Sequence, residues 1–292
     1  MKLGNINGRA VIVLPDGVTD VEQASGGRFG PDIQGVLRRW DEFTEWTAAR
    51  VHHFVGVPVE NPRYDAAVPE PGQVFAVGLN YRAHALEAGL PLPEVPLVFT
   101  KFPSSVAAPS GTLVLPTDQV DWEVEVAVVI GRAAHRVSRA VAWDHVAAIT
   151  GAQDFSARDV QLAGGAKPQF SLGKSFSGFT PLGPLLVTPD EFPDRDAIAL
   201  ECRINGATVQ ASSTADLIFP VPAIVSYLSH IVTLRPGDVI LTGTPSGVGL
   251  GMDPPRYLAT GDQVTTTVEL CGVMHHVCGS AVPAFDAAGI LG

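Results

Sequence analysis

Glu123 and Glu125 stand two apart in DWEVEVAVVIG, residues 121–131. On a strand, side chains two apart point the same way, so these carboxylates would lie side by side. Like charges that close raise each other's pKa unless a cation sits between them. Hard divalent ions take such oxygen ligands. The spacing alone also suits a solvated strand face. A third carboxylate, Asp154 in GAQDFSARD after the apolar stretch 146–150, favours the metal reading. His84 and Glu87 form H-x-x-E. On a helix they share a face, either as an exposed pair or as a proton-transfer unit, since histidine titrates near neutrality. Arg158 could grip a carboxylate bidentately or pair with Asp159 or another acid. Cys271, His275, His276 and Cys278 hint at zinc, but strand alternation divides them between two faces. The chain has no G-x-S-x-G elbow, and GTPSGVG lacks a following GK[ST], so serine-nucleophile and nucleotide readings are weak.

The elements that must hold these residues read mostly as strands. Residues 126–130 are a continuous apolar run ended by Gly131, as in a buried strand. Further strands are expected at 74–77, 97–100, 113–115, 181–188, 197–204, 207–210 and 239–242, with a closing hairpin of 264–270 and 273–278 around Cys271-Gly272. Helices are expected at 141–150, at 222–228, and over a short stretch starting at Asn80. After that short helix come Gly89, Pro91, Pro93 and Pro96, so residues 81–96 read as a mobile lid whose Leu86, Leu90, Leu92 and Val95 would cover a substrate. Residues 1–70 read as a small α+β domain before a larger one at 71–292. It would hold a hairpin turning at Asn7-Gly8 and helices at 32–40 and 41–55, capped by Asp32 and Asp41. Trp40, Phe43 and Trp46 fall at helical spacing, as a core face does. Many strands with few helices give an α+β, β-rich class: a mixed, rolled sheet with peripheral helices.

Composition narrows the function. Hydrophobic residues are 46% and charged residues 17% of 292, enough for a sizeable core. A net charge of -11 without a Lys/Arg cluster disfavours nucleic acid and anionic membranes as partners. A small anionic substrate would need a local cationic centre. No apolar run approaches the roughly 18 residues of a membrane span, the first residues lack a signal-peptide pattern, and the three cysteines fit a reduced cytoplasm.

DWEVEVAVVIG, QDFSARDVQ, LGKSFSGFTPLGP and PGDVILTGTPSGVG, together with VGLNYRAHALEAG and STADLIFPV, resemble in order and spacing the fumarylacetoacetate hydrolase family. The resemblance implies that family's β-rich, dimerising fold. It implies Glu123, Glu125 and Asp154 as ligands of Mg²⁺ or Mn²⁺, and a 2-oxo acid held by Arg158, Gln161, Thr244 and, at its distal end, Tyr81. It implies Lys174 beside an enolate, and a His84–Glu87 dyad on a lid that activates water. The expected activity is metal-dependent hydrolysis of a C–C bond in a β-diketo acid of the acylpyruvate or fumarylacetoacetate kind. The alternative is a decarboxylase, isomerase or hydratase of an oxaloacetate- or hydroxymuconate-like acid. Ser177 where relatives carry Asp, and Gln153 where Asn is frequent, leave the substrate open.

Overall fold

A computed structural model describes residues 1–50, 53–165 and 167–280. The strand Val124–Ile130 is buried at every position and lies inside a ten-stranded mixed sheet. Antiparallel partners flank it on both sides, Val146–Gln153 and Val239–Leu241. The sheet then runs through Val74–Gly78 to Leu97–Thr100 at one edge. On the other side it runs through Thr180–Val187 to Lys2–Ile6, Arg9–Leu14 and Gly17–Asp20. A second sheet of five strands orders Ala207–Ser213, Ala199–Ile204, Gln263–Val268, Gly272–Ser280 and Ser110–Leu115.

A strand buried on both faces has no alternation to show, which is why 126–130 reads as one apolar run. Val124, Val126, Val128 and Ile130 pack with Leu200, Ile204, Val264 and Val268 of the second sheet. Ala127 and Val129 pack the opposite way, with Trp40, Phe43, Trp46 and Leu186. The β-rich α+β class follows from these two layers and the helices outside them.

Several elements depart from expectation. Residues 141–150 are not a helix: a 3-10 stretch, Arg139–His145, leads into the central strand Val146–Gln153. A short apolar run cannot distinguish a buried helix from a buried strand by periodicity, and the β-branched Val146, Ile149 and Thr150 decide for the strand. Asp32 does cap its helix, Ile33–Arg38, accepting the amides of Gln34 and Gly35. Asp41 does not cap; it sits in the first turn of Trp40–Ala48, whose N-cap is Arg39. The expected 41–55 helix stops at Ala48, and its positions 51 and 52 lie outside the described residues. The short helix is Arg82–Glu87, with Tyr81, not Asn80, at its N-cap. No helix among the described residues is long and apolar enough to cross a membrane.

Candidate metal centre and oxo-acid site

Glu123 lies just before the strand Val124–Ile130 rather than on it, yet its carboxylate lies close to that of Glu125. Glu125 pairs across the sheet with Ala152, while Asp154 follows the end of the neighbouring strand and its amide donates to the Glu123 carbonyl (2.9 Å). One ligand oxygen from each of Glu123, Glu125 and Asp154 lies within 4.8 Å of the others, and all three residues are buried. Among the described residues this is the one such group of three or more potential ligands. Cys271, His275, His276 and Cys278 form none: Cys271 and Cys278 are buried free thiols, and His276 turns Nε2 to the Ala108 carbonyl (3.2 Å).

Three cations surround the triad. Lys174 Nζ donates to Glu123 Oε2 and Asp154 Oδ2, both at 2.7 Å. Lys101 Nζ contacts Asp154 Oδ1 and donates to the Phe179 carbonyl (2.9 Å). Arg158 Nη2 reaches Glu123 Oε1 (2.7 Å) and Asp121 Oδ2 (2.7 Å), and Nη1 donates to Gln161 Oε1 (2.9 Å). Lys174 gets there because Gly173 packs on the Arg158–Leu162 helix, where a Cβ would lie 2.6 Å from the Gln161 nitrogen.

Electrostatics sorts the carboxylates. Burial alone would raise Glu123, but Lys174 and Arg158 outweigh it and, with His84 adding a smaller effect, hold it at about 2. Glu125 is pushed well above the usual range by burial and by its neighbours Asp154 and Glu123. Among the described residues no cation bonds it; it accepts the Gly243 amide at 2.6 Å. Burial lowers Lys101 despite Asp154, whereas Lys174 is raised because Asp154 and Glu123 overcome its burial. A buried carboxylate left without a direct cation, in a cluster of three, fits a hard divalent ion. Glu123, Glu125 and Asp154 could therefore hold a metal.

His84 Nδ1 and Glu87 Oε2 are 3.0 Å apart, so the pair is formed. Glu87 Oε1 accepts the amide of Gly247 (2.9 Å) in the glycine-rich loop. That glycine has φ +100°, and a Cβ there would lie 2.0 Å from the Val209 carbonyl oxygen, so no other residue fits. The start of the helix is tied down by the STADLIF segment: Asp216 accepts the Ala83 amide (3.1 Å), and Arg82 donates to the Leu217 carbonyl (2.7 Å).

Other expected residues stand differently. The Thr244 hydroxyl donates to the Val124 carbonyl (2.9 Å) and accepts from Gln210 (2.8 Å), so its proton is spent within the fold. Tyr81 is buried, and its hydroxyl has no hydrogen-bond partner among the described residues. Leu86, Leu90, Leu92 and Val95 face solvent instead of covering the site; the inward face of their segment is Tyr81 and Ala85. Sequence reasoning missed Lys101 and Gln210. Lys101 closes an apolar strand, which was its only local signal. Gln210 lies on a strand beyond a hairpin, where nothing marks its amide as buried.

Residues 73–278 match the family described as fumarylacetoacetate (FAA) hydrolase C-terminal. The human mitochondrial oxaloacetate tautomerase FAHD2A is 43% identical over 220 residues, 75% of this chain and 70% of that protein. A candidate HpcE protein from Mycobacterium smegmatis is 49% identical, with a TM-score of 0.90 over 96% of this chain and 100% of that one. The 5-carboxymethyl-2-hydroxymuconate delta-isomerase of the same species is 31% identical, with a TM-score of 0.74 over 96% and 99%.

Proposed function

This chain belongs to the fumarylacetoacetate hydrolase family, and we propose that it is a divalent-metal-dependent isomerase of a 2-oxo or 2-hydroxydienoic acid. The observation that carries this reading is a formed His84–Glu87 pair in a chain that also gathers a buried acidic triad. The similarity to an oxaloacetate tautomerase and to a hydroxymuconate isomerase supports it over hydrolysis. Glu123, Glu125 and Asp154 would hold Mg²⁺ or Mn²⁺, which supplies Lewis-acid polarisation of a 2-oxo oxygen. His84, oriented by Glu87, takes a proton from the carbon next to the 2-oxo group and returns it at another position. Lys174 places its ammonium where negative charge develops on oxygen. Arg158 and Gln161 stand on the carboxylate side of the substrate, while Thr244 and Tyr81 support the site from within the fold.

Hydrolytic C–C cleavage is the second reading, favoured by the family's own chemistry: the same dyad could deprotonate water. The test is product analysis on Mg²⁺-loaded protein with enol-oxaloacetate, 2-hydroxymuconate-type acids and acylpyruvates. Isomerisation at least about a hundredfold above metal alone is expected. Release of two fragments from an acylpyruvate, at higher kcat/KM than any isomerisation, would replace the first reading by the second. We also propose a homodimer, as edge strands such as Ser110–Leu115 need cover. A stable monomer in sedimentation at micromolar concentration would refute it.

A further inference from the structure

We propose that Asp121 is a positioning residue that ties the seat of the lid helix to the Arg158 fork. Asp121 is fully buried and is outside the acidic triad. Its Oδ1 accepts the amides of Trp122 (2.8 Å) and Gly249 (2.7 Å). Its Oδ2 accepts the Leu250 amide (3.0 Å) and both Nε (2.9 Å) and Nη2 (2.7 Å) of Arg158. One carboxylate thus joins two parts of the site that are far apart in sequence. A buried carboxylate saturated with donors cannot shift without breaking several bonds at once, so it transmits displacement between them.

Each end of this connection leads to a residue of the proposed chemistry. At one end Arg158 also grips Glu123 and Gln161. At the other, the loop carrying Gly249 and Leu250 begins with Gly247, whose amide seats Glu87 and whose carbonyl accepts the Trp122 indole N–H (3.0 Å). The loop fits because it is glycine-rich. A Cβ on Gly249 would lie 2.8 Å from Asp121 Oδ1, and one on Gly251 would lie 2.9 Å from the Glu87 carboxyl carbon. Glu87 therefore docks on a surface whose position Asp121 sets, and Arg158 is aimed by the same carboxylate. Anything that reorients Arg158 is felt at the lid, and the coupling is reciprocal. The part this plays in catalysis rests on the isomerase reading above; the mechanical link does not.

The test is hydrogen exchange of the peptide 82–90 in Mg²⁺-loaded, full-length protein, for the wild type, Asp121→Asn and Arg158→Lys. Both variants should speed exchange in that peptide by at least about fivefold, with the strand Gln263–Val268 unchanged. Arg158→Lys is the sharper variant, because among the described residues the hydrogen bonds of Arg158 reach the loop under the lid only through Asp121, and its contact with Glu123 meets His84 only through space. It also decides the matter alone if Asp121→Asn does not fold. Lid exchange equal to wild type in Arg158→Lys, or a rise spread evenly over the whole chain, overturns the link. Exchange needs no turnover, so a wild type inactive on every acid tested would sink the isomerase reading and leave this result standing.

Discussion

Glu125 is the carboxylate of the triad that no cation among the described residues bonds, and its protonation governs how the site behaves without metal. Its pKa is raised by burial, Asp154 and Glu123. Above the ordinary carboxylate range the folded chain therefore keeps a proton that the unfolded chain has released. Metal-free stability should fall as pH climbs through that window, from about pH 5 upward. A bound divalent ion favours the charged form, so the stabilisation by Mg²⁺ should grow over the same interval. Glu123 has the opposite sign: held at about 2, it adds stability that is lost only as pH drops below the ordinary carboxylate range. Melting temperatures with and without Mg²⁺ between about pH 5 and 8 separate the two groups. Glu125→Gln should flatten the metal-free slope, and an unchanged slope in that variant would remove Glu125 as its cause. Separately, Glu123→Gln and Asp154→Asn should each weaken Mn²⁺ binding by more than the roughly 10–100-fold of outer-shell changes; calorimetry showing wild-type affinity would take that residue out of the ligand set. The two glutamates were legible because their spacing of two suggested one face and Asp154 after the next apolar run supplied a third carboxylate, although Glu123 proves to lie just before the strand. Lys101 was not, because its partner Asp154 is 53 residues away and only the sheet brings them together.

The helix Arg82–Glu87 has 6 residues, fewer than two turns, and cannot be stable by itself. It is held from outside, by Asp216 and Leu217 at its start and Gly247 at its end. Such an element opens cheaply, so the dyad is assembled only while its anchors hold. His84→Ala should lower turnover by about two to four orders of magnitude, with metal affinity nearly unchanged. Glu87→Gln should act in the same direction, and the double variant should be little worse than His84→Ala, since the pair works as one unit. Steady-state kinetics of the three variants, with Mn²⁺ titrations, checks this; fully additive losses would dissolve the dyad. The H-x-x-E pattern showed the pair, but not the anchors, which come from residues more than 100 positions along. Apolarity was a poorer guide. It suggested that Leu86 and Leu90 face the substrate, although they face solvent, and it read 141–150 as a helix where the chain makes a buried strand.

At the scale of the whole molecule, the first 70 residues and the rest share one sheet. Lys2–Ile6 pairs with Thr180–Val187, which in turn pairs with the strand leading to Asp154. The first 70 residues supply a cover: Ile33, Phe43 and Trp46 from helices and Phe29 from the segment before them pack with Ala127, Val129, Ala148 and Leu182 on the face of the sheet turned away from the five-stranded layer. Gly131 marks how close the approach is, since a Cβ there would lie 2.6 Å from Cδ1 of Trp40. The helical spacing of Trp40, Phe43 and Trp46 announced a core face, but sequence could not say that its other half lies beyond residue 120. A fragment of residues 71–292 would expose that apolar face and leave Thr180–Val187 without one of its partners. Large exposed apolar surfaces and open strand edges aggregate. We therefore expect this fragment to be insoluble or molten, with little near-ultraviolet dichroism, although it contains every residue of the candidate site. In the full chain, Trp46→Ala should cost about 3–5 kcal/mol, the range for a buried aromatic lost from a core, and lower the melting temperature without changing the order of metal preference. A fragment of residues 71–292 that is soluble, unfolds cooperatively and binds Mn²⁺ with wild-type affinity would show that the sheet closes without its first three strands, and that the first 70 residues are an appendage.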